Sequence, residues 1–208
     1  MRRRRNSERR GRIVSAVAVV AGLAIVVVVV FVFLRPTPRP PIHKTVPPAV
    51  VCPPATSVVV GKFLVPAGPI AGYCQPQLVN AAQIIEAAKS YGLDAHTQEV
   101  GVMTAIGESG LRNINFGDKA GPDSRGLFQQ RKNWGPLADR MDPYKAARHF
   151  FIHLLGVPGW NKLSPTQAAH AVQQNADPNY YTKFWTRAVA IVVALSADRV
   201  PRPERTPH

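Results

Sequence analysis

The sequence predicts a mainly α-helical globular domain set behind one N-terminal transmembrane helix and a proline-rich stalk. Three observations predict it. An uncharged run of 22 residues fills Ile13 to Leu34, and eight of the 20 prolines crowd residues 35–54. From Pro76 onward, apolar residues recur at helical spacing behind Asp-Pro and Ser-Pro pairs.

The apolar run spans about 33 Å as a helix, enough to cross a bilayer core of roughly 30 Å. It ends in Phe33-Leu34-Arg35-Pro36, with no small-x-small cleavage site, and is longer than a signal-peptide core of about 7–15 residues. An uncleaved anchor is therefore expected over 13–34. Seven arginines precede it against a single Glu8. Positive flanks stay on the cytoplasmic side, so residues 1–12 are expected inside and everything after Leu34 outside, a single-pass cell-membrane protein. The same arginines as a nucleic-acid-binding arm are the weaker reading, and no nucleic-acid partner is expected. Beyond the span, the formal charge of +14 falls to about +8, which favours retention near anionic polymers or headgroups.

Residues 35–56 form the stalk, with proline density that favours extended polyproline II and buries no core. Cys52 and Cys74 both fall outside the cell, where disulfides persist, and form one pairing within the chain. Neither has an acid–base neighbour in sequence that would make it a catalytic thiol. The expected bond ties the segment before the domain to its first helix.

The domain is expected over 57–200, with a core at 76–196 and a tail at 201–208. Val58-Val59-Val60 predicts a short strand or irregular coil. Leu78, Ala81, Ala82, Ile85 and Ala88 mark a helix ending near Tyr91-Gly92. Asp94 opens the next. Its stretch Val100 to Gly107 holds no charge, the mark of a buried central helix, and Glu108 ends it. Asp142-Pro143, Ser164-Pro165 and Asp177-Pro178 each place an N-cap residue before proline, predicting three further helices. A glycine-rich stretch, 113–130, interrupts them.

Most carboxylates have structural explanations as caps, surface groups or tail residues. Glu108 stands apart. A carboxyl ending an apolar helix is half-desolvated, which raises its pKa toward that of a general acid. The negative end of the helix adds to this. The other account of Glu108 is a last-turn residue paired with Arg112. His149 and His153 resemble half of a zinc site, but the glutamate of His-Glu-x-x-His is missing. Both histidines are expected to be solvated, away from the apolar stripe. No metal or cofactor is expected, since phosphate loops, dinucleotide fingerprints and zinc-knuckle spacings are absent.

Glu108-Ser109-Gly110-Leu111, then Gly126-Leu127-Phe128-Gln129, resemble the Glu-Ser and Gly-Leu-Met-Gln motifs of soluble lytic transglycosylases. Arg112 to Asp118, Asp123-Ser124-Arg125, Gln130-Arg131, Trp134-Gly135, Met141-Asp142-Pro143, Val157-Pro158-Gly159-Trp160 and Ala171-Val172-Gln173 with Tyr181 resemble actinobacterial lysozyme-like domains of that superfamily. The likeness covers about residues 76–190 in consistent order. It implies a lysozyme-like α+β fold with a small hairpin or loop beside a glycan cleft. It implies Glu108 as general acid and base on the MurNAc–GlcNAc bond of peptidoglycan.

Asp118 and Asp123 are the candidates for a second carboxylate, although both sit among turn residues. Gln129 is expected on the cleft wall and Tyr181 against the sugar near Glu108. Ser109 is expected among the substrate-binding residues, supporting Glu108 rather than reacting. Trp134 and Trp160 suit sugar stacking, whereas Trp185 fits a core stripe. Phe128 stands where transglycosylases carry methionine, and no Ala-Tyr-Asn-Ala-Gly segment occurs, so glycan cleavage is better supported than the anhydro product. The rival class is a noncatalytic lysozyme-like module that binds peptidoglycan or scaffolds a wall-spanning complex. A metallopeptidase would rest on the histidine pair alone.

Overall fold

A computed structural model describes residues 50–119 and 121–197. The basic segment 1–12, the expected span 13–34, most of the stalk and the tail 201–208 lie outside the described residues. Among those described, no helix is long and apolar enough to cross a membrane.

The domain is mainly helical. A two-stranded antiparallel hairpin, β1 (Val58–Val60) and β2 (Phe63–Val65), pairs Val58 with Val65 and Val60 with Phe63. Among the described residues six α-helices follow: α1 (Gln75–Ser90), α2 (Ala95–Ser109), α3 (Leu137–Arg140), α4 (Pro143–Leu155), α5 (Pro165–Gln173) and α6 (Trp185–Ala197). The valine run thus forms a strand. Alternation puts Phe63 and Val65 into the core and leaves Leu64 exposed.

Cys52 and Cys74 form the expected disulfide, with Cα atoms 5.5 Å apart. Cys74 is also the N-cap of α1, so the bond holds the incoming chain at the start of that helix. Nearby, Gln75 Nε2 donates to Thr56 O at 2.6 Å.

Helix α2 is the centre of the fold, packing against α1, α5 and α6. Asp94 caps it, accepting from Thr97 N at 2.8 Å. Val100 through Ile106 are all buried. Gly101 permits the close approach: a Cβ there would lie 2.5 Å from the Phe151 ring on α4 and 3.0 Å from Ile84 on α1. Asp142 caps α4 through Lys145 N at 3.0 Å, and Ser164 with Gln167 forms the reciprocal box at α5.

Asp177-Pro178 departs from expectation. Asp177 accepts from Asn179 N at 2.8 Å and opens a 3-10 turn at Tyr180–Phe184. The α-helix begins only at Trp185. A side chain that closes a tight turn satisfies the same donors as an N-cap, and the tighter winding aims two consecutive tyrosines at α2.

Candidate active site

Glu108 sits in the last turn of α2. The helix stops at Gly110, whose left-handed backbone (φ 63°) suits glycine. Gly110 N donates to Ile106 O at 2.9 Å and Leu111 N to Ala105 O at 3.2 Å. The carboxyl is therefore carried on the most buried helix, at the point where the chain turns away.

Two neighbouring tyrosines from the 3-10 turn grip this end. Tyr181 donates its hydroxyl proton to Glu108 Oε1 in a very short hydrogen bond. Tyr180 donates to Gly107 O at 2.9 Å. Gly107 lets the rings in, since a Cβ there would meet two Tyr181 ring carbons at 2.8 Å and Phe184 at 3.1 Å. Burial pushes the Glu108 carboxyl above its ordinary pKa. The Tyr181 hydrogen bond opposes this, and the negative charge of Asp118 adds to it. Burial and the adjoining carboxylate push the Tyr181 hydroxyl far upward, so it stays a donor across the physiological range. With Oε1 occupied as acceptor, an acid proton on Glu108 rides on Oε2.

Glu108 borders a groove of about 1150 Å³, larger than the roughly 300–1,000 Å³ of ordinary small-molecule sites. One wall is the loop carrying Ile114, Phe116 and Asp118. Phe128, Gln129, Trp134 and His153 contribute further lining, and the end of α5 with residues 174–177 and Tyr180 completes it. Polar groups are frequent along it, including Gln129, Asn133, Gln173, Asn175 and Asp177.

The loop is held by its anchors. Leu127 and Phe128 are buried, and Phe128 stacks on Phe150 with centroids 4.9 Å apart. Arg125 and Gln130 exchange backbone hydrogen bonds of 3.0 and 2.9 Å. The buried guanidinium of Arg140 donates to the carbonyls of Gly135, Asp123 and Gln130 at 3.0, 2.9 and 3.0 Å. This loop, with its Arg125–Gln130 bridge, borders the groove; the β1–β2 hairpin lies elsewhere, packed on α1 and α6.

The structure sorts the expected site residues. Glu108, Asp118 and Gln129 share the groove. Gln129 is half-buried with a left-handed backbone (φ 47°), and its Nε2 donates to Gly126 O at 3.2 Å. Asp118 is exposed, with Oδ1 accepting from Gly121 N at 2.8 Å. Asp123 does not line the groove. It accepts from Arg131 Nε at 2.8 Å and Lys132 N at 3.0 Å, contacts that hold its carboxyl below the usual range. It closes a turn.

Three other assignments change. Tyr181 has no solvent exposure and therefore offers a sugar no surface; it positions Glu108 instead. Ser109 is buried, with its hydroxyl against Ala105 O (3.1 Å) and Leu127 O (2.9 Å). It accepts from Arg112 N at 3.2 Å, joining the helix end to the loop rather than meeting a ligand. The histidines divide: His153 is exposed as expected, with its ring 4.1 Å from Trp134 at the groove, whereas His149 is half-buried beside Gly135. Trp134 lines the groove, whereas Trp160 does not. Trp185 packs against the core and edge-on to His96.

Sequence reasoning missed Tyr180, and it treated Phe116 only as part of a motif. Phe116 is 64% exposed, while Phe63, Phe128, Phe150 and Phe151 are buried. Its signal was an aromatic between Asn115 and Gly117 in an otherwise polar loop. No protein-family model and no curated protein matches this chain.

Proposed function

We propose that the chain is a lysozyme-like, membrane-anchored enzyme that cuts the glycan strands of peptidoglycan at the MurNAc–GlcNAc bond. The anchor is residues 13–34, with the domain on the outer face of the cytoplasmic membrane. One observation carries the reading: a half-buried carboxyl of raised pKa, fixed by Tyr181, opens on a large groove lined by both polar and apolar side chains.

Glycoside cleavage needs an acid that keeps its proton near neutral pH and releases it to the leaving oxygen. Desolvation shifts the Glu108 carboxyl in that direction. As the C1–O bond breaks, the Oε2 proton passes to the glycosidic oxygen. The carboxylate left behind faces a developing positive sugar, which its burial strengthens electrostatically. It then takes a proton from the attacking hydroxyl. That hydroxyl is either the sugar's own C6 hydroxyl, giving a 1,6-anhydro end, or a water, giving a reducing end. Asp118 is the carboxylate of this groove best placed to assist, because its charge is felt at Glu108. Asp123 is engaged with Arg131 and Lys132.

The test is to incubate the full chain in detergent with purified peptidoglycan and analyse released fragments by mass spectrometry. Soluble muropeptides are expected from the wild type and none from Glu108→Gln. Anhydro ends would mark transglycosylation and reducing ends hydrolysis. Cut peptide stems with intact glycan would overturn the reading in favour of a peptidase. Binding without release would overturn it in favour of a noncatalytic module.

A further inference from the structure

Helix α2 ends in a way that exposes one particular carbonyl. A regular turn would bring Leu111 N to Gly107 O, four residues back. Leu111 N goes instead to Ala105 O at 3.2 Å, and Gly110 N to Ile106 O at 2.9 Å. Gly107 O, the carbonyl of the peptide bond that leads into Glu108, thereby loses its regular helical donor. Tyr180 supplies one from outside the helix, its hydroxyl 2.9 Å from Gly107 O. Burial and the negative charge of Glu108 push that phenol up, so it keeps its proton.

Tyr180 also borders the groove, so a direct contact with substrate is the other account of it. Its surroundings argue against that account. The hydroxyl proton is committed to the backbone. Lys183 Nζ lies over the ring, 4.4 Å from its centroid, and Tyr181 and Phe184 meet it edge-on at 5.1 and 5.5 Å. A ring with a cation on one face and two aromatic neighbours is fixed in place, with little left for a sugar to stack on. Consecutive residues of one 3-10 turn thus grip consecutive residues of α2. Tyr180 holds the backbone of Gly107, and Tyr181 the side chain of Glu108.

We infer that Tyr180 is a positioning residue for the acid: its bond to Gly107 O fastens the 3-10 turn to the end of α2 and so sets where the Tyr181 hydroxyl meets Glu108. The inference rests on Glu108 as the acid of the proposed reaction. Other hydrogen bonds near the turn lead away from α2: Tyr180 N donates to Asp177 O at 3.1 Å, and Thr166 Oγ1 to Pro178 O at 3.2 Å. Among the described residues, the two tyrosine hydroxyls supply the hydrogen bonds that join this turn to α2. Without Tyr180, one bond to a side chain would have to hold the turn. Displacing a reacting group by about 1 Å can cost on the order of 100-fold in rate, so a partial slip is readable in turnover.

The test compares the full chain in detergent with Tyr180→Phe, Tyr181→Phe and the double variant, circular dichroism confirming each fold. On solubilised peptidoglycan, Tyr180→Phe is expected to lower kcat about tenfold and leave KM within about twofold. The double variant should be no slower than Tyr181→Phe alone, because a residue acting through Tyr181 has nothing to place once that hydroxyl is gone. A second readout needs no turnover: carbon NMR follows the Glu108 carboxyl, assigned with Glu108→Gln. The Tyr181 bond holds that carboxyl down, so its titration midpoint should rise in Tyr180→Phe toward the Tyr181→Phe value, with Asp118 and Lys183 unaltered in both. A raised KM at full kcat would overturn the inference by making Tyr180 a substrate contact. Losses that multiply in the double variant, or an unmoved carboxyl midpoint, would overturn it as well. If the midpoint moves as expected but no chain, wild type included, releases fragments, the positioning stands and the glycan-cleaving reading fails.

Discussion

Tyr181, without solvent exposure, donates its hydroxyl proton to Oε1 of Glu108, 73 residues earlier in the chain. The carboxyl thereby has one oxygen assigned to the protein and one left for chemistry. Tyr181→Phe removes the donor and keeps the ring. Because the hydrogen bond holds the Glu108 pKa down, its loss raises that pKa further. The alkaline limb of the pH–rate profile should move to higher pH, while kcat falls about 10–100-fold with KM little changed. Measuring kcat and KM across pH on solubilised peptidoglycan checks this; an unmoved limb would assign Tyr181 a purely structural role.

Glu108→Gln should abolish cleavage and stabilise the fold at neutral pH. The raised carboxyl binds its proton more tightly in the folded state, so stability is lost as pH climbs from the unfolded pKa through the folded one. Glutamine removes that loss. At pH 7 the variant should melt higher, by about 2–4 °C for each kcal/mol recovered. The gap should close below the ordinary carboxylate range, where Glu108 is protonated in the folded and the unfolded state alike. Calorimetric melts at acid and neutral pH decide it.

The two aspartates should behave differently. Asp118→Asn removes a negative charge that raises the Glu108 pKa, so the alkaline limb should shift to lower pH. Asp123→Asn should leave that limb in place and act on the turn it shares with Arg131 and Lys132. Parallel pH–rate profiles separate the two.

Gly107→Ala sets two small effects against each other. Alanine is favoured over glycine inside a helix by about 1 kcal/mol. Its Cβ would lie 2.8 Å from Tyr181 ring carbons in a filled core, and overpacking of this kind costs about 1–3 kcal/mol. The variant is expected to melt lower and to lose more activity than stability, because Tyr181 must shift off Glu108. Thermal denaturation paired with kcat checks both halves.

Replacing Cys52 and Cys74 by serine should destabilise the domain. Closing a loop of 22 residues in sequence is worth roughly 3 kcal/mol on the chain-entropy account. A fall in Tm of about 6–12 °C is expected, and reduction of the native protein should reproduce it. Glycan cleavage below the new Tm should survive, since neither cysteine lines the groove.

Local signals were readable from the chain and tertiary ones were not. Asp94, Asp142 and Ser164 were legible as caps because each acts within three residues. The central helix was legible because an unbroken apolar stretch has few other places to go, and Glu108 stood out as the first charge after that stretch. Asp177-Pro178 was misread because an Asx turn and an N-cap use the same side chain and the same proline. Asp118 and Asp123 were indistinguishable in sequence, both sitting among glycine and proline; only the reach of Arg131 and Lys132 separates them. Tyr181 was expected near Glu108, but its burial depends on Gly107 and on the 3-10 winding, neither of which leaves a periodic trace. His149 was placed by helical angle alone, which omits the Gly135 segment that packs beside it.

Arg140 has a consequence for how the groove keeps its width. One guanidinium gathers carbonyls from residues 123, 130 and 135, so the outer rim is fastened at a single internal rivet. A lysine there would keep the charge but lack the flat fork that reaches several oxygens at once. The rim would then slacken without any change to the acid itself. On the glycan-cleaving reading, long strands would suffer first, because they would touch the whole rim, while short fragments would still find Glu108 in place.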